Sequence, residues 1–294
     1  MIPSLTRRVT PWMRRCVGFS TFDHFRELRW PLSADPLTDA ENGPVVFVEP
    51  HYDDAVFSCG GTISALRAAD REVHLVSVFT GAPSRVPSAL AQAIHATWPE
   101  DGPTAYARRR REAEEVARAM DVEAHALGIP EVIYRNVPLG AIDDIFDPTV
   151  PVETDPAVDG VAGRLRDVLA QLRPAALVLP LGIGHHYDHR VVAAAARRLA
   201  PRRGEEPAMW WYEDFPYVAN PVRADAHREQ GPPREGFALV DVTRTFDDRV
   251  RWAAMYEQQF EVLFGTLEQL RSRMYEYAAS VGSPDRPHER FWKC

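Results

Sequence analysis

The segment that decides the fold runs from Val45 to Ile63 and reads VVFVEPHYDDAVFSCGGTI. It begins with an apolar run typical of a buried strand, turns polar at Glu49, and continues in small and apolar residues that suit a helix. We interpret it as strand, turn and helix, with His51, Asp53 and Asp54 in the turn. Open α/β sheets bind their ligands at the carboxyl ends of the strands, so we expect chemistry at this turn.

A second polar cluster follows a second apolar run far downstream. Residues 176–181 are apolar, and residues 184–189 then read GHHYDH, with His186, Asp188 and His189. Two strand ends meet when their strands are neighbours in a parallel sheet, and imidazole nitrogens and carboxylate oxygens are zinc ligands. One cluster alone is ambiguous, because Asp also caps helix N-termini. The two together predict a site with two His, one carboxylate and an open coordination position.

The motifs HYDD and HYDH resemble the H-P-D-D-E and H-x-D-H motifs of the zinc-dependent PIG-L/LmbE-like de-N-acetylases. The resemblance covers about residues 44–280. It implies a zinc-dependent amide hydrolase that removes an acyl group, acetyl in the first instance, from an amino sugar or a glycosylated small molecule, as in natural-product biosynthesis. Tyr52 stands where the family usually has Pro, and Ala55 where it usually has Glu. Neither departure falls on a proposed ligand.

The resemblance also implies a role for each polar residue of the two motifs. The zinc ligands would be His51, Asp54 and His189, with one position left for water. Asp53 would then be free to act as general base, and His186 would stabilise the tetrahedral oxyanion. Asp188 would orient an imidazole ligand through a hydrogen bond.

Two further residues are candidates for binding substrate. A run of four arginines, residues 108–111, is typical of a solvated helix face, but an R-x-x-E pattern formed with Glu112 resembles the family and singles out Arg109. Residues 139–143, LGAID, resemble the family's L-G-x-x-D turn and make Asp143 a candidate for sugar hydroxyls. The alternative for Asp143 is a turn carboxylate that binds its own backbone, and the adjacent Asp144 leaves the assignment open.

The remaining pattern predicts a Rossmann-like open sandwich, an α/β fold with a mainly parallel sheet and helices on both faces. We expect strands at 73–80, 132–137 and 209–217, a last strand at 238–243, and helices at 105–120, 158–172 and 188–199. Residues 220–236 are predicted to form a lid loop that shapes substrate choice. Residues 246–279 are expected to be helical with a break near Gly265, and the tail from Ser283 is expected at the surface.

Composition sets the broad class of the protein. Of 294 residues, 45% are hydrophobic and 26% charged, which suits one catalytic domain over 44–294 with residues 1–43 as an extension packed on it. A net charge of −8 argues against nucleic acid as a partner. The three cysteines are scattered, and no apolar run approaches the roughly 18 residues of a membrane span, so we expect a soluble, cytoplasmic protein without stable membrane insertion. The oligomeric state stays open, a homo-oligomer included.

Two alternatives remain at this stage. The first is a non-catalytic member of the fold that binds a sugar or nucleoside ligand in the same cleft. The second is an amidase that acts on another amide, such as a thiol conjugate. Asp53 favours an enzyme over a binding protein, since a binding site has no need of a base. The small N-acylated substrate itself is not specified by the sequence.

Overall fold

The computed structural model describes residues 43–82, 88–96, 101–135, 137–199, 207–220 and 236–293. These residues form one seven-stranded sheet. The strands are β1 (Val45–Glu49), β2 (Val73–Ser77), β3 (Glu123–Ala126), β4 (Ala176–Pro180), β5 (Ala208–Tyr212), β6 (Gly236–Asp241) and β7 (His288–Lys293).

Eight α-helices lie in the same described ranges. They are α1 (Asp54–Ala68), α2 (Ala89–His95), α3 (Gly102–Met120), α4 (Pro156–Leu172), α5 (Tyr187–Arg197), α6 (Phe246–Ala254), α7 (Glu257–Leu263) and α8 (Leu267–Val281). Short 3₁₀ helices follow β3 and β5, and two of them, Ile142–Phe146 and Tyr217–Ala219, matter for the site.

The sheet order is β3-β2-β1-β4-β5-β7-β6. The five strands from β3 to β5 pair in parallel, whereas β7 is antiparallel to both of its neighbours. Every residue of β1, β2 and β4 is buried. Successive strand residues point to opposite faces, so complete burial means that both faces of the central sheet are covered. The predicted α/β class with a mainly parallel sheet is confirmed.

The central strands β1 and β4 define where a ligand can bind. From β1 the chain moves outward to β2 and β3, and then returns to the other side of β1 as β4. Val45 therefore lies opposite Val73 on one side and Ala176 on the other. This reversal of direction opens a crevice at the carboxyl ends of β1 and β4, the position at which such folds bind ligands.

The strand predicted at 132–137 is wrong. Val132–Tyr134 is a 3₁₀ helix, and the edge strand is the preceding segment Glu123–Ala126. Its sequence, EAHA, is mostly exposed and lacks the β-branched residues that indicate strands, so its pairing with β2 decides its conformation. The Val132 N–H instead donates to the Asp188 carboxylate at 3.0 Å, which turns this backbone toward the site.

The prediction that 238–243 forms the last strand and that the tail lies at the surface is also wrong. β7 follows it and inserts between β5 and β6, with Glu289 and Arg290 buried. The sequence HERFWK does not reveal this strand, because the residues that pair with the charged side chains of Glu289 and Arg290 lie far away in the chain. Glu289 accepts backbone N–H groups of α1 at 3.0 and 2.8 Å, and Arg290 pairs with Glu213 at 3.0 Å.

The helical segment predicted at 246–279 is three helices. The chain breaks at Gly265, whose φ of +85° suits glycine, and it also breaks after Ala254. The strand predicted at 209–217 is shorter than expected, since β5 ends at Tyr212. The extension up to residue 42, most of the predicted lid and two of the three cysteines lie outside the described residues; Cys59 is a buried free thiol. Within the described ranges no helix has the length and apolarity that crossing a membrane requires.

Candidate metal centre and active site

The polar cluster after β1 is held by the start of α1. The backbone N–H of His51 donates to Asp54 Oδ2 at 2.8 Å, which closes the turn between the strand and the helix. Asp53 occupies the position before the helix and makes no side-chain cap. Because its carboxylate is not used to cap the helix, it is available to the cavity that it lines.

Three predicted ligands come together in the crevice. Ligand atoms of His51, Asp54 and His189 all lie within 4.8 Å of one another. Asp54 Oδ2 is 3.3 Å from His51 Nδ1 and 3.4 Å from His189 Nε2. His189 Nε2 is buried and makes no hydrogen bond to any residue in the described ranges. A buried nitrogen left in this state, beside a carboxylate and a second imidazole, fits a divalent metal of the zinc type.

A second group, His51, His186 and Asp188, satisfies the same distance condition. Asp188 is fully buried and its oxygens already have other partners. Arg135 Nη1 lies 2.8 Å from Oδ1, and His51 Nε2 lies 3.2 Å from Oδ2. Binding a metal there would require breaking these contacts, so the group formed with Asp54 and His189 fits a metal better.

Each of the two imidazoles is oriented by a carboxylate on the side away from Asp54. Asp188 faces Nε2 of His51, and Asp214 faces Nδ1 of His189 at 2.8 Å. Asp188 is the residue predicted to orient an imidazole, and its Oδ2 lies 3.2 Å from His51 Nε2. Asp214 was not predicted, because it follows an aromatic strand and its sequence context contains no histidine. Its proximity to the second histidine motif arises because β5 is the neighbour of β4.

The adjacent aspartates have opposite electrostatic surroundings. Burial, and then the negative charge of Asp54, raise the pKa of Asp53 to about 6. Burial also acts to raise the pKa of Asp54, but the imidazoles of His189 and His51 outweigh it and lower that pKa to about 2. A carboxylate with a pKa near neutrality suits a proton acceptor, and one that stays ionised suits a metal ligand.

The pKa values of His51 and His186 are also shifted in opposite directions. Burial lowers the pKa of His51, but its contacts with Asp188 and Asp54 raise it well above the usual value. Burial, His51 and His189 all lower the pKa of His186 well below the usual value. His186 Nδ1 accepts the N–H of Asp188 at 3.3 Å, so the proton of the neutral ring lies on Nε2. His186 therefore has an N–H to donate within the cavity.

The cavity above these residues has a polar side, formed by the motif residues with Arg109 and Glu131, and an apolar side. Phe57 lies near the aspartates, Val262 and Leu263 come from α7, and the 3₁₀ helices contribute Phe146 and Tyr217. The ring of Phe146 packs edge-on against the ring of His186, with 5.2 Å between the ring centroids. The ring of Tyr217 packs edge-on against that of His189, with 5.5 Å between centroids. The segment that follows β5 also reaches the cavity, through Pro216 and Tyr217.

The two predicted substrate residues lie in different places. Arg109 lines the cavity, and its Nη1 donates to Glu131 at 2.8 Å. Glu112, its predicted pattern partner, instead accepts from Arg108 at 2.9 Å. Asp143 is exposed and is not among the described residues that line the cavity. Its neighbour Asp144 accepts the backbone N–H groups of residues 140 and 141, so the turn-carboxylate alternative is realised one position later.

The sequence profile of the PIG-L family, described as GlcNAc-PI de-N-acetylase, matches residues 46–200, just over half of the chain. The chain belongs to the PIG-L family. Both histidine motifs fall inside the matched residues, as do all of β1 except Val45, the whole of β4 and the helices that begin at the site. The chain is thus a member of a hydrolase family named for removing an N-acetyl group, as the motifs predicted.

Similar proteins carry names consistent with an N-deacetylase. A 2'-N-acetylparomamine deacetylase of Streptomyces fradiae is 29% identical over 247 residues, which is 79% of this chain and 81% of the relative. Among solved structures, the A40926 pseudoaglycone deacetylase has a TM-score of 0.67 at 22% identity and covers 86% of this PIG-L chain and 97% of its own. A zinc-inhibited form of teicoplanin deacetylase has a TM-score of 0.67 at 23% identity, covering 85% and 97%. At these identities the structures support the fold.

Proposed function

We propose that this PIG-L family member is a zinc-dependent N-deacetylase that removes acetyl from the amino group of a sugar in a glycosylated natural product. The observation that carries the proposal is the arrangement of side chains in the crevice at the carboxyl ends of β1 and β4. His51, Asp54 and His189 converge there, and Nε2 of His189 makes no hydrogen bond within the described residues. Asp53, which precedes the ligand Asp54 in the chain, lines the cavity but is not one of the three ligands.

The residues fit zinc better than a harder cation. Two nitrogen donors and one carboxylate are typical of catalytic zinc sites, whereas calcium and magnesium prefer sites made of oxygen. Zinc bound by His51, Asp54 and His189 supplies Lewis-acid chemistry, which polarises an amide carbonyl and makes water more acidic. Asp188 and Asp214 hold the two imidazoles so that their remaining nitrogens face Asp54.

Asp53 is the residue we propose for proton transfer. Its carboxylate takes a proton from the attacking water as the water oxygen bonds to the acetyl carbonyl carbon. It then gives that proton to the sugar nitrogen as the C–N bond breaks, which releases acetate and a free amine. Its pKa, raised to about 6, suits the first transfer, because the carboxylate is ionised at neutral pH and is more basic than a solvent-exposed aspartate.

His186 is the residue we propose for the oxyanion. With its Nδ1 occupied by the N–H of Asp188, the neutral ring presents the Nε2 proton to an oxygen that becomes negatively charged. Phe146 against the ring limits its rotation, and such preorganisation is what makes an oxyanion donor effective.

An acetylated amino sugar is the substrate class that we infer. The relative named 2'-N-acetylparomamine deacetylase supports an amino sugar of an antibiotic precursor. Arg109 lines the cavity and is held by Glu131, which supports our proposal that it hydrogen-bonds sugar hydroxyls. The apolar side chains of the wall suit the acetyl methyl group and the carbon face of a sugar ring.

One experiment tests the proposal. Purified protein is analysed for metal and then incubated with 2'-N-acetylparomamine, N-acetylglucosamine glycosides and a thiol-conjugate amide, with free amine measured. We expect one zinc per chain and amine release from an acetylated amino sugar. Release from the thiol conjugate alone would favour another amidase. Tight sugar binding without any amine release would favour the binding-protein alternative.

A further inference from the structure

We propose that Asp214 is a positioning residue that fixes the tautomer and orientation of His189 for metal binding. The inference rests on the proposed metal site and extends it to a residue outside both histidine motifs. Asp214 follows β5, lies only 1% exposed, and belongs to none of the residues that line the cavity in the described ranges. It can therefore act on the reaction only through a residue that it contacts.

The two carboxylate oxygens of Asp214 have different hydrogen-bond partners. Oδ1 lies 2.8 Å from His189 Nδ1. Oδ2 accepts the backbone N–H groups of Gly182 and Ile183 at 2.8 and 2.9 Å. Those backbone donors belong to the loop between β4 and α5, so one side chain ties together β5, this loop and the histidine.

The contact between Asp214 Oδ1 and His189 Nδ1 determines which nitrogen of His189 carries a proton. A carboxylate only accepts hydrogen bonds, so Nδ1 must donate to Oδ1. In the neutral ring Nε2 then bears the lone pair, and Nε2 is the atom 3.4 Å from Asp54. A metal ligand needs that lone pair free. Asp214 thus keeps the metal-facing nitrogen of His189 unprotonated and aimed at the other ligands.

The backbone around Asp214 is itself held firmly. Its neighbour Glu213 accepts Arg290 Nε at 3.0 Å and Trp292 Nε1 at 2.9 Å, both from β7. Gly184, in the loop that Asp214 binds, has a φ of +89°, and any Cβ there would lie 2.5 Å from Tyr217. These contacts leave Asp214 little freedom to move away from His189.

Replacing Asp214 by Asn tests whether Asp214 fixes the tautomer of His189. The amide has one oxygen and one NH₂, and the oxygen is favoured on the side of Gly182 and Ile183, where two donors face it. The NH₂ group then points at His189 Nδ1 and requires that nitrogen to accept. The ring consequently carries its proton on Nε2, which a metal must displace. The shape of the side chain and its bonds to the loop are retained, so folding is expected to persist.

Glu213→Gln is the matched control. It makes the same carboxylate-to-amide change at the adjacent buried position, but Glu213 faces β7 and not the histidine. A general disturbance of the end of β5 would affect both variants alike. An effect through the His189 tautomer would affect only Asp214→Asn.

The experiment measures zinc affinity by chelator competition and the visible spectrum of the cobalt(II)-substituted proteins, with folding followed by circular dichroism. We expect about 10–100-fold weaker zinc binding and an altered cobalt spectrum for Asp214→Asn, with both unchanged in Glu213→Gln. Equal affinities in wild type and Asp214→Asn, or an equal loss in both variants, would overturn the inference while the metal site stands. A wild-type chain that takes up no metal would overturn the site itself.

A measurement on the wild-type protein gives a result even if Asp214→Asn does not fold. In the protein stripped of metal by a chelator and held at alkaline pH, long-range ¹H–¹⁵N spectra report which nitrogen of each neutral histidine is protonated. We expect His189 to carry its proton on Nδ1, with the downfield shift of a hydrogen bond to a carboxylate. A proton on Nε2 would contradict the assigned role of Asp214.

Discussion

Two pairs of adjacent acids stand at the ends of two parallel strands, Asp53 and Asp54 after β1, and Glu213 and Asp214 after β5. Within each pair the two carboxylates face different surroundings. Burial raises the pKa of Asp53 to about 6, whereas imidazoles hold that of Asp54 at about 2. Burial raises the pKa of Asp214, whereas Arg290 lowers that of Glu213 despite burial.

The difference between the two pairs is in what each one contacts. The pair after β1 meets the cavity and the imidazoles directly, so both members have proposed chemical roles. The pair after β5 lies behind the site, where one member holds a histidine and the other anchors the strand. Adjacent acids of similar chemistry are therefore distinguished by their partners, and the following predictions test each assignment.

The largest effect is expected from Asp54→Asn. An amide oxygen is a poorer zinc donor than a carboxylate, and the change also removes the negative charge between His51 and His189. We expect metal affinity to fall by more than about 100-fold, beyond the loss typical for residues that only orient ligands, and activity to reach background. Elemental analysis after dialysis measures this. Full metal content in the variant would exclude Asp54 from the ligand set.

Asp53→Asn should keep the metal but lower kcat by roughly 10²–10⁴, the usual contribution of a general acid–base residue. An amide cannot accept the proton of the attacking water, and Asp53 is not among the proposed ligands. Metal content and kcat are measured on the same preparation. Loss of metal here, with retention in Asp54→Asn, would mean that the two roles are exchanged.

Glu213→Gln should affect stability instead of catalysis. The substitution leaves Arg290 buried without its negative partner, which costs about 3 kcal/mol of unfolding free energy. Urea denaturation at pH 7 measures the loss, and kcat of the folded protein should stay within about twofold of wild type, because the residue touches neither cavity nor ligand. A large drop in kcat at unchanged stability would move Glu213 into the site.

The contrast between neighbours extends to the arginine run of α3. Arg109 lines the cavity, whereas Arg108, which does not, is partly buried and pairs with Glu112 and Glu257. Arg109→Gln should raise KM about tenfold, the value of one charge-assisted hydrogen bond to substrate, and Arg108→Gln should leave it unchanged. Steady-state kinetics on an acetylated amino sugar separate the two. Equal effects of both substitutions would argue for a general charge effect.

The smallest effect concerns the pH dependence of stability. The pKa of Glu213 is lowered below 4.5, because the attraction of Arg290 outweighs burial. The stability that its ionised form contributes is therefore present above about pH 4.5 and is lost as the pH falls below it. The gap in unfolding free energy between wild type and Glu213→Gln should narrow by about 1.4 kcal/mol per pH unit between pH 4.5 and the folded pKa. A gap that stays constant down to pH 3 would contradict the assigned partner.

The amino-acid sequence by itself determined the central part of the fold and the ligand candidates. Apolar runs that end in His and Asp indicate strands and a site at their carboxyl ends, because burial and metal ligation both depend on residue type and short spacing. The motif around His51 and the motif around His189 are local signals of this kind, and the predicted residues do converge in the structure.

Only the tertiary structure decided which residues support that centre. Asp214, Glu289 and Arg290 read as ordinary polar residues, since their partners lie 25, more than 200 and 77 positions away. The edge strand Glu123–Ala126 and the strand formed by the tail likewise depend on pairing with distant neighbours. Long-range pairing leaves no periodic trace in the chain, and a buried charge resembles an exposed one until its partner is known.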